Sequence, residues 1–351
     1  VQPYNVLLVQ PSTRCVFPSS TAPIRKDAIA ENIDHTIELI RPYRSVQPRL
    51  VVLPEFAIQG MQFGRSVDEW IDVSLTIPGP ETDRLSSVAA DMNCYIAAMF
   101  YELDPEWPGR FWNTAFIVSP SREIVLKYRK IFAMTAKTRP GDVWSDYVER
   151  YGVEGLLPVV DTEIGRLAAI VCYDINFPEL SRCLALRGAE VLCHVTSEPD
   201  GQHRSSWDNA RRTRAYENLF YLAAANQGPQ PDREGDYVPS GGSKLVGFRG
   251  EVLAEAQSTG EEVVVGRVDI DALRRQRANF RLNFLAQVQP RLFLETYEAA
   301  AELVWPTDHW LERPIQDVTE NEVLGREVIR RMQAASIFVA PEGGSSDRGD
   351  G

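Results

Sequence analysis

The feature that most restricts the fold is a series of short, wholly apolar runs set between amphipathic segments. Val6-Leu7-Leu8-Val9, Leu50-Val51-Val52-Leu53, Leu167–Val171 and Tyr221–Ala225 are too short for a long helix and lack the polar alternation of a half-exposed strand. Runs of this kind suit strands buried on both faces. Between them, Asp27 to Tyr43 places Ile29, Ile33, Ile37 and Ile40 on one helical face. Thr82 to Asn93, Pro178 to Arg187 and Ser205–Leu219 read as further helices, the second with proline in its first turn and Gly188 past its end. Ser119-Pro120-Ser121-Arg122 joins Ala115–Val118 to Glu123–Leu126 as a hairpin, and Arg249-Gly250 joins Lys244–Phe248 to Val252–Ala256. Crossovers mixed with hairpins predict an α/β protein with a mixed, two-layered sheet covered by helices.

After Asp271 the pattern changes. Arg274 to Pro314 is rich in Arg, Phe and Trp and reads as mostly helical, and Asn321–Ala335 reads as one more helix. The chain therefore divides into a main unit over 1–275, a helical extension over 276–340 that forms an interface, and a tail over 341–351 that is disordered by composition.

The charge balance limits what such a protein can bind. A net charge of −12 argues against nucleic acid and anionic membranes as partners. The longest apolar runs, Leu167–Tyr173 and Leu219–Ala225, fall far short of the ~20 residues that cross a bilayer. The first cationic residue is Arg14 and Val6–Val9 is too short for a secretory core, so the expected compartment is the cytoplasm. Five cysteines without a C-x-x-C pair fit a reducing environment and speak against a structural zinc site. Only four histidines are present, which leaves few candidates for histidine-dependent catalysis.

Three reactive side chains each follow an apolar strand. Glu55 lies in VVLPEF, Lys130 in IVLKYRK and Cys172 in LAAIVCYDINFPE. Ligands of open α/β sheets bind beyond the carboxyl ends of strands, so this placement gathers the three at one rim. Cys172 sits where a strand passes through a sharp turn into the helix opening at Pro178, the logic of a nucleophile elbow. A thiol needs a base to take its proton, which a buried carboxylate supplies, and an ammonium with a backbone N–H can hold the oxyanion that follows.

The motifs around these residues resemble the nitrilase, or carbon–nitrogen hydrolase, superfamily: LPEF at Glu55, KYRK at Lys130, CYDINFPE followed by RGAEVL at Cys172, then RAYENLFYLAAANQG and GGSKLVGFRGEVL. The resemblance spans residues 4–275 in order. It implies a four-layer αββα sandwich with a C-terminal extension, dimerised or in a higher even homo-oligomer, and a Glu-Lys-Cys triad carried by Glu55, Lys130 and Cys172, with the Tyr173 N–H beside Lys130 at the oxyanion. It implies no metal and no organic cofactor. CYD-x-x-FPE is more similar to the amidase branches, so the expected substrate is a small-molecule carboxamide, cleaved through a cysteine thioester. A nitrile or N-carbamoyl substrate on the same triad, and an assembly role for a weakly active member, are the alternatives.

The chain departs from the family where many members carry a second glutamate after the lysine. Ile131 to Gly141 contains no acid. Asp142, the first acid downstream, is a candidate substitute, the alternative being that it only caps the helix begun near Ser145 and leaves Thr138, or water, in the family's position. Trp144 and Tyr147 are candidate walls of an acyl pocket. His194, at a strand end, is a further candidate at the site, and Arg214 and Glu217 are expected to make structural contacts on a helix.

Overall fold

A computed structural model describes residues 1–341 apart from 134, 200, 202–203 and 236–237. The apolar runs become the centres of two six-stranded mixed sheets. The first contains β1 (Tyr4–Gln10), β2 (Pro48–Val52), β3 (Tyr95–Glu102), β4 (Trp112–Val118) and β5 (Ile124–Arg129). The second contains β6 (Val160–Thr162), β7 (Gly165–Val171), β8 (Val191–Val195), β9 (Tyr221–Ala225), β10 (Lys244–Val246) and β11 (Val252–Glu255). The chain then crosses back, and β12 (Glu262–Val268) closes the first sheet antiparallel to β1. The strand orders are β12-β1-β2-β3-β4-β5 and β11-β10-β9-β8-β7-β6. Parallel pairs occupy the middle of each sheet and hairpins the flanks.

The sheets pack face to face, β1 to β4 against β7 to β9. Strand residues such as Val6–Val9, Leu50–Val52 and Leu167–Val171 are fully buried, as two covered faces require. A Cβ on Gly266 of β12 would come within 2.6 Å of Leu245, so glycine there lets the two sheets approach. Outside the first sheet lie α1 (Asp27–Ile40) and, after the short α2 (Val67–Asp72), α3 (Pro80–Met92). Beyond α4 (Trp144–Tyr151), the second sheet is covered by α5 (Pro178–Leu186) and α6 (Arg204–Asn218). The result is the αββα sandwich that the sequence motifs implied.

Local differences from the sequence reading have physical reasons. The first helix stops at Ile40 because Pro42 lacks the N–H to continue it, and Arg41–Val46 tightens into a 3-10 turn. The third starts at Pro80, with the Thr82 hydroxyl accepting from the Gly79 N–H and donating to its carbonyl. β5 continues past Leu126 through polar residues because Lys127 and Arg129 pair with the buried Glu102 of β3. That continuation carries Lys130 to the strand's end.

The C-terminal extension follows α7 (Ile270–Arg277) and contains α8 (Arg291–Ala300) and α9 (Val318–Ala334). It is less helical than its composition suggests, because Pro290, Pro306 and Pro314 interrupt it. Its middle docks on the chain itself: Asp308 and Trp310 donate backbone N–H groups to the carbonyls of Gly141 and Asp142 at 2.8 and 3.2 Å. Arg110 donates to the carbonyls of Trp310 and Leu311. On α8, Leu292, Phe293, Leu294 and Tyr297 remain exposed. No helix of the described residues is long and apolar enough to cross a membrane. All but the first residue of the 341–351 tail lies outside the described residues.

Candidate active site

Glu55 leaves the end of β2 through Leu53-Pro54 and is fully buried, its N–H donating to the Thr196 carbonyl of the facing sheet at 3.2 Å. Its Oε1 accepts from Lys130 Nζ at 2.9 Å and from Asn113 Nδ2 at 2.6 Å. Its Oε2 is buried without a hydrogen-bond partner. Asn113 also accepts the Lys130 backbone N–H at 2.9 Å, so one β4 residue sets the positions of both charges. Sequence reasoning missed Asn113, because nothing in WNTAFIV marks it apart from an ordinary strand polar residue.

Cys172 follows β7 with φ +50°, a left-handed backbone that a non-glycine residue adopts at a cost. A 3-10 turn over Cys172–Asn176 follows, and then α5. The turn is fixed by Asp174, whose carboxylate accepts from the Val171 and Phe132 N–H groups and the Tyr128 hydroxyl, at 3.0, 2.9 and 2.8 Å. Burial raises the Asp174 carboxyl to about 6, against the opposing charge of Lys130. The Cys172 thiol donates to the Ser197 carbonyl at 3.5 Å.

Glu55, Lys130 and Cys172 line one cavity of about 680 Å³, with Tyr173, Phe56 and Tyr101 among its walls. Burial and the Glu55 charge push the Cys172 thiol up to about 12, against the pull of Lys130. Burial alone would depress the Lys130 ammonium; the charges of Cys172, Glu55 and Asp174 outweigh it and hold the lysine above its ordinary value. At neutral pH the site thus holds a thiol and an ammonium. Among the described residues no group of three or more His, Cys, Asp or Glu side chains could hold a metal.

The remaining candidates lie elsewhere. Asp142 does not line the cavity, which corrects its expected place beside Lys130. The adjacent Arg139 captures its buried carboxylate, through the backbone N–H at 2.8 Å and through Nη2 at 2.7 Å, in the seam with the C-terminal extension. Thr138 is likewise off the cavity, its N–H bound to the Phe111 carbonyl. Trp144 opens α4 away from the cavity, and Tyr147 belongs to a small separate cluster with Trp107 and Trp112. His194 touches Cys172 from behind, with Nε2 2.9 Å from its carbonyl oxygen, and does not line the cavity. Arg214 and Glu217 pair on α6 at 3.1 Å. Among the wall residues not foreseen are Lys137, inside the segment without acids, and Gln316 to Val318 of the extension.

A carbon–nitrogen hydrolase family model matches residues 18–278. The chain is 30% identical to a formamidase of Bacillus cereus over 255 residues, 72% of this chain and 71% of the relative. The chain belongs to the carbon–nitrogen hydrolase family. It is thus a hydrolase of C–N bonds in the nitrilase superfamily. Solved structures share the fold. A Saccharomyces cerevisiae member of branch 10 of the nitrilase superfamily is 24% identical, with a TM-score of 0.62 over 80% of this chain and 95% of its own. An amidase of Nesterenkonia is 21% identical, with a TM-score of 0.61 over 83% of the hydrolase and 96% of its own chain; that protein, as a Glu-to-Gln mutant, carries the acetamide moiety of fluoroacetamide on its active-site cysteine.

Proposed function

We propose that this hydrolase converts a small-molecule primary carboxamide to a carboxylic acid and ammonia through a thioester on Cys172. The observation that carries the reading is the Glu55–Lys130 pair in the cavity wall that also holds Cys172 on its elbow. With the thiol pushed up to about 12, a preformed thiolate is not the nucleophile. Glu55 takes the thiol proton as the sulfur–carbon bond forms, and the partnerless Oε2 is the atom free to accept it. Lys130 and the Tyr173 N–H hold the carbonyl oxygen as it gains charge. Glu55 returns the proton to the nitrogen, ammonia leaves, and the acyl group stays on sulfur. Glu55 then takes a proton from water as the water attacks the thioester, which frees the acid and restores the thiol. The formamidase relatives support an amide substrate, and the alkylated cysteine in the Nesterenkonia amidase supports a nucleophilic cysteine at this position of the fold.

The test combines ammonia release from an amide, nitrile and N-carbamoyl panel with intact-mass detection of an acyl adduct on acid-quenched wild type. Cys172→Ala should lose turnover and keep its fold. Turnover within tenfold of wild type in folded Cys172→Ala overturns the reading. An assembly protein would show neither turnover nor adduct. The homo-oligomer is part of the same proposal, with the exposed face of α8 as its contact, and sizing of a Phe293→Glu variant tests it.

A further inference from the structure

The cavity holds a second lysine that the reaction above does not use. Lys137 is 4% exposed and lines the same cavity as Glu55, Lys130 and Cys172. Its Nζ stands 5.2 Å from the ring centre of Phe56 and 5.0 Å from that of Tyr101. Aromatic faces hold a cation, but they do not neutralise it. Lys130 has Glu55 as its partner at 2.9 Å, whereas Lys137 has no carboxylate within ion-pair distance among the described residues. The nearby Glu55 oxygen is already shared between Lys130 and Asn113.

The other charges around the cavity are committed. Arg65 pairs with Glu69 at 2.6 Å and donates to the Ser19 carbonyl. Asp317 uses its carboxylate to cap α9 at Thr319. Lys137 is therefore an inward-facing amine without an ion-pair partner among the described residues, in a segment that contains no acid from Ile131 to Gly141, with Glu55 and Asp174 acting on it only from beyond contact. Burial, and then the charge of Lys130, push its amine down to about 7. A buried lysine of this kind does nothing for folding that methionine would not do at lower cost. The space beside it also exceeds the needs of a one-carbon amide, since about 680 Å³ lies in the range of pockets that enclose whole drug-sized ligands.

We propose that Lys137 anchors a carboxylate carried by the substrate, so that the preferred substrates are primary amides whose acyl chain ends in a carboxylate. The inference rests on the amidase reading above, because a primary amide has only its acyl part to carry that charge. Binding supplies the missing ion-pair partner. Lys137 is then held as an ammonium between the carboxylate and the two rings, and the amide carbon at the other end of the chain reaches Cys172. Neutral amides leave the lysine without a partner and gain nothing from it.

The experiment compares matched pairs of equal chain length: succinamate with butyramide, and glutaramate with valeramide. Wild type should favour the carboxylate member by at least tenfold in kcat/KM at one length. In Lys137→Met, which preserves volume and removes the charge, that ratio should fall to about one, chiefly through KM. A wild type with no preference for the carboxylate member at either length overturns the proposal. A variant that loses both members by the same factor overturns it too, since Lys137 would then serve the chemistry or the fold. A binding arm uses Cys172→Ala, in which glutaramate or succinamate should raise Tm, and Cys172→Ala/Lys137→Met, in which the shift should vanish. An equal shift in both, or none in the first, also counts against the anchor. If neither series releases ammonia, the hydrolytic reading fails, while the Tm arm still decides on Lys137.

Discussion

His194 holds the carbonyl of Cys172 at 2.9 Å through Nε2, and Arg211 Nε addresses its Nδ1 at 3.4 Å. A guanidinium only donates, so Nδ1 accepts and the imidazole proton sits on Nε2, directed at the carbonyl. Burial and the Arg211 charge hold this histidine well below the usual imidazole range, and the ring stays neutral. Arg211 is itself buried and fixed by Glu198 and by Asp208. The left-handed backbone of Cys172 is thus braced from behind by a neutral donor that never meets the substrate.

The brace predicts a kinetic phenotype without a histidine titration. His194→Phe removes the donor from a buried carbonyl and should lower kcat by about ten- to a hundredfold, with KM little changed. In wild type the His194 ring resonances should not titrate between pH 8 and 6. Below the ordinary histidine value the unfolded chain binds this proton more readily than the folded one, so stability should fall as pH drops under about 6.5. A His194 titration near pH 6.5 would remove the argument.

Asn113 carries the second prediction. Its side chain donates to Glu55 Oε1 while its carbonyl accepts the Lys130 N–H. Asn113→Ala leaves the backbone bond and removes the bond to the carboxylate, freeing Glu55 to rotate. The expected result is a fall in kcat of about tenfold or more at modest change in Tm, the signature of a lost orientation rather than a lost nucleophile. Asn113→Ala with wild-type kcat would show that Lys130 alone orients the carboxylate.

How far the sequence could be read follows from where information is local. Cys172, Glu55 and Lys130 each follow a strand whose apolar run is visible in the chain, so their shared rim is legible in the sequence. The helices around them announce their ends through proline, glycine and the spacing of isoleucines. Asn113, Lys137 and the wall at Gln316 to Val318 were not legible, because their roles depend on partners far along the chain. Asp142 was misplaced for the same reason. The turn at Pro140-Gly141 was visible, but the competing claim of Arg139 on the carboxylate is a matter of side-chain packing.

That pair gives the third prediction. Arg139 and Asp142 are both buried, and Arg139 also donates to Asn321 of α9 and to the Ala133 carbonyl of the cavity loop. Breaking a buried pair by removing one charge leaves the other uncompensated, at a cost of roughly 3–5 kcal/mol. Asp142→Asn should therefore lower Tm by several degrees and loosen the extension, read as faster proteolysis within 301–317. A kinetic defect with wild-type Tm would reverse the assignment and return Asp142 to the chemistry.

The last prediction concerns the cost of Lys137 to the resting protein. Its amine is pushed down to about 7, against an ordinary value of 10.5 in the unfolded chain. Below pH 7 both states carry the proton, and the folded protein bears the full penalty of a desolvated ammonium. Between pH 7 and 10.5 the folded state has released the proton while the unfolded chain still holds it, so the unfolded state binds more protons and stability rises with pH. Above that window both forms are neutral and the penalty is gone. Lys137→Met has no such group, so it should be more stable than wild type near pH 6.5, by an amount on the order of a few kcal/mol. The gap should close steadily toward pH 10, as measured by denaturant unfolding of the two proteins side by side. Other groups titrate in the same range, but they are common to both chains and cancel in the difference. A gap that stays constant from pH 6.5 to 10 would mean that Lys137 keeps its proton in the folded state, and that a partner other than a substrate carboxylate stabilises it.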